Sequence, residues 1–199
     1  ADALKMVLKA VEPKFGKYFR KMKWVNFGGG LHITRKDYDI DLLCELINLF
    51  KRKYNVQVYL EPGEAVALNA GFLVASVVDI INNGMDIAIL DTSAETHMPD
   101  VLAMPYTPKI IGAKIASKMT KNGKKIFPYK YRLGGLTCLA GDVIGDYAFP
   151  KKLFIGQKLI FADMAIYSMV KATTFNGVNL PSITLYNPKN GKIKGVSGI

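Results

Sequence analysis

The sequence Trp24-Val25-Asn26-Phe27-Gly28-Gly29-Gly30 decides the fold of the first part of the chain. Residues 23–27 predict a short β-strand, and this strand runs directly into three glycines. Backbone N–H groups of such a loop approach an anion closely, and phosphate is the usual anion. A glycine triplet also suits a tight turn without any ligand, so both interpretations stay open on these residues alone.

Helical patterns flank this strand on both sides. Apolar residues recur every three or four positions over residues 4–22, which predicts an α-helix that Pro13 bends or divides in two. A second apolar stripe over residues 40–50 predicts another helix, with Asp37 or Asp39 as its N-cap. The segment between the two helices is therefore a strand and a loop.

A second strand is predicted over residues 56–60, and it ends at Glu61-Pro62-Gly63. Helices and strands thus alternate through residues 1–70, which implies parallel strands with crossover helices, as in a piece of an α/β barrel. Active sites of such barrels gather at the carboxyl ends of the strands, so the glycine loop and Glu61 are expected to face one pocket. Without the glycines, Glu61 would be interpreted as a helix-cap or surface carboxylate.

The pattern changes after residue 70. Apolar runs over residues 72–81 and 85–90 flank Asn83-Gly84, and Asn-Gly between such runs is the strongest local signal of a β-hairpin. The dipeptide recurs at Asn122-Gly123 and at Asn190-Gly191. Residues 71–199 therefore predict an antiparallel β-domain.

The chain has a formal net charge of +11, which makes a polyanion a candidate partner. Eight basic residues follow one another without an intervening acid: Lys109, Lys114, Lys118, Lys121, Lys124, Lys125, Lys130 and Arg132. Because Asn122-Gly123 lies in their midst, a solvated hairpin with lysines on its outer face is favoured over a nucleic-acid site.

Composition limits the remaining classes of protein. Half of the 199 residues are hydrophobic, as expected of a folded globular chain. The apolar runs are too short for a membrane segment. Two cysteines and two histidines argue against a disulfide framework and a structural zinc site, and the cytosol is the expected compartment. The chain starts at Ala1 within a helical pattern, without a secretory signal. It also lacks an initiating Met, which suggests a cut end or a fragment.

Other candidate residues lie after residue 90. Cys138 lies among glycines and aspartates in residues 136–147, where it is either a small buried hydrophobe or a tuned thiol. His97, Asp100 and Tyr106 lie in a proline-containing segment that predicts an ordered loop, lining a site or simply exposed. Tyr167 is a possible phosphate donor or a core residue. His32 has no partner in sequence and is interpreted as structural.

Taken together, these motifs resemble the fold-type III pyridoxal-phosphate decarboxylases, the family of ornithine, diaminopimelate and arginine decarboxylases. The motifs are Gly28-Gly29-Gly30, Glu61-Pro62-Gly63, Cys138 with Asp142 four residues later, and Ala165-Ile166-Tyr167 before Thr174-Phe175-Asn176-Gly177. Four segments resemble the branch that acts on carboxylated polyamines: residues 24–30, 89–94, 97–102 and 137–142.

The resemblance implies the C-terminal part of a (β/α)8 alanine-racemase-like barrel, followed by an antiparallel β-domain, in a homodimer with shared active sites. It implies that pyridoxal 5'-phosphate is the cofactor. Gly28, Gly29 and Gly30 would hold its phosphate, which Tyr167 would also touch. Glu61 would pair with its pyridine nitrogen and keep that nitrogen protonated.

The resemblance also places Cys138 in the partner subunit's site, as proton donor to the carbon that CO2 leaves. Two positions depart from the family: Glu64 stands where many relatives have Arg, and Leu139 where they have Asp. We expect Glu64 and Asp100 to bind the ammonium groups of a long polyamine substrate.

The lysine that forms the Schiff base in this family belongs to an early barrel strand, and nothing here matches its context. The chain is therefore expected to be the C-terminal half of a longer enzyme and to be inactive alone. Three alternatives stay open: a decarboxylase of ornithine, arginine or diaminopimelate, a catalytically inactive homologue that binds a partner, and a nucleic-acid-binding β-module.

Overall fold

The structure is a computed structural model that describes residues 1–118 and 127–196. The chain divides into two compact units, Ala1–Leu68 and Asn69–Ile199. Within the described ranges, no helix combines the length and the apolar character that crossing a membrane requires.

The first unit alternates helices and strands. Its elements are α1 (Asp2–Phe19), β1 (Trp24–Asn26), α2 (Ile40–Tyr54), β2 (Gln57–Tyr59) and α3 (Gly63–Ala67). Strands β1 and β2 pair in parallel, with Val25 opposite Val58. A parallel pair requires a crossover connection, which here contains α2. The parallel arrangement predicted from the sequence is confirmed.

Helix α1 is continuous through Pro13, so the alternative of a second short helix is wrong. Proline removes a single N–H from the helix, and apolar packing on both sides of it holds the segment together. Leu4 and Leu8 before the proline and Phe19 after it are buried in one cluster with Phe50 of α2. The Phe19 and Phe50 rings meet edge to face, with centroids 5.2 Å apart.

Helix α2 begins and ends as its sequence predicts. The Asp39 side chain accepts a hydrogen bond from the Leu42 amide at 2.8 Å, so Asp39 rather than Asp37 is the N-cap. Asn55 follows the helix in the left-handed conformation, with φ of 55°. Asparagine tolerates this conformation better than most residues, and the turn leads directly to β2.

Within the described residues, the second unit contains a mixed sheet, a separate hairpin and three short α-helices. Its elements are β3 (Phe72–Asn82), β4 (Asp86–Leu90), α4 (Ala94–His97), α5 (Asp100–Ala103), β5 (Lys114–Ile115), β6 (Tyr129–Gly134), β7 (Val143–Phe149), β8 (Lys158–Ala162), α6 (Tyr167–Val170), β9 (Thr184–Tyr186) and β10 (Ile193–Gly195). The sheet order is β5-β7-β6-β4-β3-β8.

Two of the three predicted hairpins are confirmed. Strands β3 and β4 pair antiparallel around Asn83-Gly84, and β9 and β10 do so around Asn190-Gly191. Gly84 and Gly191 have φ of 72° and 68°, the region that glycine adopts without steric cost. The predicted lysine hairpin at Asn122-Gly123 lies outside the described residues.

One part of the fold prediction is wrong, because the sheet is not wholly antiparallel. Strands β4 and β6 run parallel, with Ile87 opposite Arg132 and Ile89 opposite Gly134. The chain between these strands is long enough to return to the same end of the sheet, which a tight turn cannot do. As a result, the segments that follow Leu90 and Gly134 leave the sheet at the same edge.

The core of the second unit lies against this sheet. The buried residues of its strands include Leu133, Tyr147 and Phe161. The Tyr147 hydroxyl donates to the Pro108 carbonyl at 2.7 Å, which satisfies the polar end of a buried ring. Burial raises the pKa of this hydroxyl.

Candidate functional site

The glycine loop and Glu61 lie side by side at the carboxyl ends of β1 and β2. Two hydrogen bonds continue the parallel pairing beyond the strands: the Phe27 amide donates to the Tyr59 carbonyl at 3.0 Å, and the Glu61 amide donates to the Gly28 carbonyl at 2.9 Å. The structure therefore brings together two segments that are more than thirty residues apart in sequence, as the strand-end argument requires.

Glycine is needed in this loop for two different reasons. Gly28 and Gly30 both have φ of +74°, which side-chain-bearing residues rarely adopt. At Gly29 the constraint is space, because a Cβ atom there would lie 2.8 Å from the Glu61 carbonyl oxygen. The two strand ends can approach this closely only when Gly29 has no side chain.

Asn26 was missed as a site residue by reasoning from sequence. Its side-chain carbonyl accepts a hydrogen bond from the Gly28 amide at 2.8 Å, and its side-chain amide donates to Glu61 Oε1 at 2.5 Å. One side chain thus orients both the loop and the carboxylate. Its position could have indicated this role, because Asn26 is the last residue of the strand before the glycines. An asparagine side chain there can form hydrogen bonds with backbone groups of the following turn.

Several polar groups of this strand end keep free bonding capacity. Among the described residues, no acceptor takes the Gly29 or Gly30 amide, and no donor reaches Glu61 Oε2. Glu61 is exposed. The site therefore offers backbone donors to an anion and, beside them, a carboxylate oxygen to a donor.

Glu64 already has basic neighbours in the first unit. Its Oε2 pairs with His32 Nδ1, and its Oε1 lies 3.7 Å from Arg35 Nε. The Glu64 side chain is 25% exposed. His32 therefore has a partner that sequence spacing did not reveal, and the pair links the segment after the glycine loop to α3.

The segment with His97 and Asp100 forms the short helices α4 and α5 instead of the expected loop, and both side chains are buried. His97 Nε2 lies 3.0 Å from the Asn179 carbonyl, and Nδ1 lies 2.8 Å from Thr92 Oγ1. A carbonyl can only accept, so Nε2 carries the proton and Nδ1 accepts from the threonine. Burial lowers the His97 pKa, which is consistent with a neutral, structural imidazole.

Asp100 has one satisfied and one unsatisfied carboxylate oxygen. Its Oδ2 accepts from the Tyr106 hydroxyl at 2.7 Å, whereas its buried Oδ1 has no hydrogen-bond partner in the described chain. Burial, and then the Asp100 carboxylate, raise the pKa of the Tyr106 hydroxyl, which therefore stays a donor. An unpaired buried carboxylate oxygen is costly, so a cationic group is its natural partner.

Cys138 is exposed, so its interpretation as a small buried hydrophobe is wrong. It lies in the connection between β6 and β7, in a turn where the Asp142 amide donates to the Leu139 carbonyl at 2.9 Å. Tyr167, the first residue of α6, is 55% exposed and not a core residue. Both side chains are accessible to a ligand.

Comparison with known proteins shows which family the chain belongs to. Residues 38–165 match the family described as pyridoxal-dependent decarboxylase, C-terminal sheet domain. The chain belongs to this family. The match includes Glu61, Asp100 and Cys138, and all six strands of the mixed sheet.

Two curated relatives are similar over nearly the whole chain. It is 56% identical over 195 residues to the carboxynorspermidine/carboxyspermidine decarboxylase of Campylobacter jejuni, which covers 96% of this chain and 50% of that protein. It is 43% identical to the carboxyaminopropylagmatine decarboxylase of a Synechocystis species, over 91% of this chain and 45% of the relative. The chain spans about half the length of these relatives.

Solved structures in the family have the same fold. Carboxynorspermidine decarboxylase from Campylobacter jejuni, complexed with norspermidine, aligns with a TM-score of 0.86 and 53% identity over 98% of this chain and 54% of that one. The arginine decarboxylase of Paramecium bursaria Chlorella virus, bound to agmatine, aligns with a TM-score of 0.70 and 23% identity over 89% and 49%. At that identity the second likeness concerns the fold alone.

The contact between Gly29 and Glu61 gives a prediction about cofactor binding. In the full-length protein, Gly29→Ala forces the glycine loop away from Glu61, and we expect affinity for pyridoxal phosphate to fall about tenfold or more, since steric displacement of a binding loop costs at least 1–2 kcal/mol. The measurement is an absorbance titration of the apoenzyme. Gly63→Ala is the matched control, because a Cβ there meets nothing within 4 Å. Equal cofactor affinities of the two variants would contradict the assignment of the glycine loop as the phosphate-binding site.

Proposed function

We propose that the full-length protein decarboxylates carboxynorspermidine or carboxyspermidine, giving CO2 and norspermidine or spermidine, in polyamine biosynthesis. The supporting observation is the strand-end site, in which free glycine amides and an oriented carboxylate lie side by side, in a chain 56% identical to a decarboxylase of that name. The related structure complexed with norspermidine supports a polyamine as the substrate class.

The residues present fit pyridoxal phosphate as the cofactor. The free amides of Gly29 and Gly30, with the loop conformation of Gly28, suit its phosphate, and the free Oε2 of Glu61 suits a protonated pyridine nitrogen. Tyr167 is exposed and available as a further phosphate donor. When bound, the cofactor supplies an electron sink for the electron pair left at Cα as CO2 departs.

The chain's own residues then have distinct tasks. Asn26 holds the Glu61 carboxylate in place from the strand end. Cys138 supplies the proton from its Sγ to the substrate Cα, and the resulting thiolate takes a proton from solvent. The exposure of Cys138 supports a role toward a bound substrate, because a core thiol could not reach one.

We further propose the arrangement of the whole enzyme. Residues 1–70 would be the C-terminal portion of a (β/α)8 barrel, which the parallel β1–β2 pair supports, and residues 71–199 would be the β-domain. Two subunits would share active sites, with Cys138 serving the partner's site. The cytoplasm is the proposed compartment, because Cys44 and Cys138 are free and exposed, as suits a reducing environment.

Glu64 and Asp100 are the proposed ligands of the substrate's ammonium groups. The unpaired Oδ1 of Asp100 supports its role. At Glu64, a substrate ammonium would replace Arg35, whose Nε is 3.7 Å away and whose side chain is 57% exposed. A partly desolvated pair discriminates cationic substrates better than an exposed one.

A substrate panel tests the proposed function. CO2 release by the full-length protein with pyridoxal phosphate is measured for carboxynorspermidine, carboxyspermidine, L-ornithine, L-arginine and diaminopimelate. We expect kcat/KM for a carboxylated polyamine to exceed that for each amino acid by about a hundredfold or more, since a site built for a polar group rejects analogues that lack it. Preference for an amino acid would support the alternative substrate class. Release from none would indicate an inactive homologue.

The role of Glu64 gives a further prediction. We expect Glu64→Gln to raise KM for carboxynorspermidine about tenfold, equivalent to about 1.4 kcal/mol, with little change in kcat, because the pairing stabilises substrate and transition state equally. Glu12→Gln is the matched control, since Glu12 of α1 pairs with Lys53 of α2 and has no proposed role in the site. An unchanged KM would contradict a substrate-binding role and leave Glu64 only its pairing with His32 and Arg35.

A further inference from the structure

We propose that Asp142 is the positioning residue for Cys138. Its buried carboxylate joins the loop that carries the thiol to the segment that leads to Asp100. This inference rests on the proposed function, and it assigns a role to a residue that touches neither substrate nor cofactor.

The sheet topology places the two segments together. Because β4 and β6 run parallel, Ile89 and Gly134 are paired near the carboxyl ends of their strands. The segment after β4 forms α4 and α5, and the connection after β6 contains Cys138. Both therefore start from the same edge of the sheet, although they are more than forty residues apart in sequence.

One oxygen of Asp142 holds the Cys138 loop. Oδ2 accepts from the Thr137 amide at 3.1 Å and from Thr137 Oγ1 at 2.7 Å. The same hydroxyl lies 3.4 Å from the Leu139 amide, so the residues on both sides of Cys138 are linked to it. The fit is close, because a Cβ atom at position 135 would lie 2.2 Å from Oδ2, and the chain has glycine there.

The other oxygen holds the neighbouring segment. Oδ1 accepts from the Ala94 amide at 2.8 Å, from Ser93 Oγ at 3.0 Å and, at 3.5 Å, from the Glu95 amide. Ser93 Oγ in turn accepts from the Thr96 amide at 3.2 Å, as the N-cap of α4. Helix α5, which begins with Asp100, follows α4 closely in the chain. The Asp142 carboxylate thus fixes the start of the segment that contains α4 and α5.

The placement of Cys138 depends on this bridge. No hydrogen bond to the thiol is present among the described residues, and the side chain is exposed. Its position is therefore set by the backbone of Thr137 and Leu139. Asp142 is only 6% exposed and is bonded to neutral donors, with no cation within salt-bridge distance in the described chain. An amide at this position presents an NH2 group to donors, so Asp142→Asn breaks one side of the bridge.

The test uses the full-length enzyme with pyridoxal phosphate and carboxynorspermidine. Wild type, Asp142→Asn and Cys138→Ala are compared for the ratio of amine product to CO2 released, for kcat and for cofactor affinity. Asp146→Asn is the matched control, because Asp146 lies in β7, the strand that directly follows Asp142, and pairs with Arg132 at the surface. Hydrogen exchange of peptides covering residues 93–97 and 135–143 reports the bridge itself.

We expect Asp142→Asn to lower kcat for amine formation about 10- to 100-fold, as small misplacements of catalytic groups do, and to lower the amine-to-CO2 ratio in the same direction as Cys138→Ala. Cofactor affinity should be retained, and both peptides should exchange faster than in Asp146→Asn. Loss of fold alone would reduce amine and CO2 equally and leave their ratio unchanged.

An unchanged amine-to-CO2 ratio in a folded Asp142→Asn enzyme would overturn the inference. Faster hydrogen exchange in only one of the two peptides, 93–97 or 135–143, would overturn it as well. If that variant does not fold, Thr137→Val removes the Oγ1 bond to Oδ2 together with the contact from the Leu139 amide, and it must lower the ratio for the inference to hold. A wild-type enzyme that releases no CO2 contradicts the proposed function instead, and the exchange measurement separates that result from failure of the bridge.

Discussion

The close approach of Gly29 to the Glu61 backbone is the constraint on which the first candidate site depends. Parallel pairing of β1 and β2 brings the two strand ends together, and the bond from the Glu61 amide to the Gly28 carbonyl extends that pairing into the loops. The glycine then lets Asn26 reach both the loop and the carboxylate. The absence of a side chain at Gly29 therefore allows both the backbone donors for an anion and the oriented Glu61 carboxylate. A phosphorylated pyridine carries groups complementary to both, the phosphate and the ring nitrogen.

In the second unit, a buried carboxylate instead of a glycine contact holds two neighbouring segments together. There, parallel pairing of β4 with β6 places two connections at one edge of the sheet, and the buried carboxylate of Asp142 joins them. Buried polar networks of this kind are rigid when every member is satisfied, and here both oxygens are. In each unit, the proposed reactive groups follow strands that belong to a parallel pair.

Features determined by neighbouring residues could be predicted from the sequence, and features that depend on distant pairs could not. The Asp39 cap, the Asn83-Gly84 hairpin and the β1–β2 alternation are local patterns, and the structure contains all three. The parallel β4–β6 pair depends on a long connection whose path no local pattern fixes. His32 pairs with Glu64, and Asp142 pairs with Ser93 and Ala94, in each case more than thirty residues away in sequence. Burial is the average behaviour of cysteine, but Cys138 lies exposed in an irregular connection.

A crystal structure of the full-length protein with pyridoxal phosphate and norspermidine bound is the most direct test of the proposed site. We expect the phosphate to accept hydrogen bonds from the Gly29 and Gly30 amides, the pyridine nitrogen to donate to Glu61 Oε2, and the Cys138 Sγ of one subunit to face the ligand. A phosphate bound elsewhere, with Glu61 turned away from the ring, would contradict the assignment of this strand end as the cofactor site.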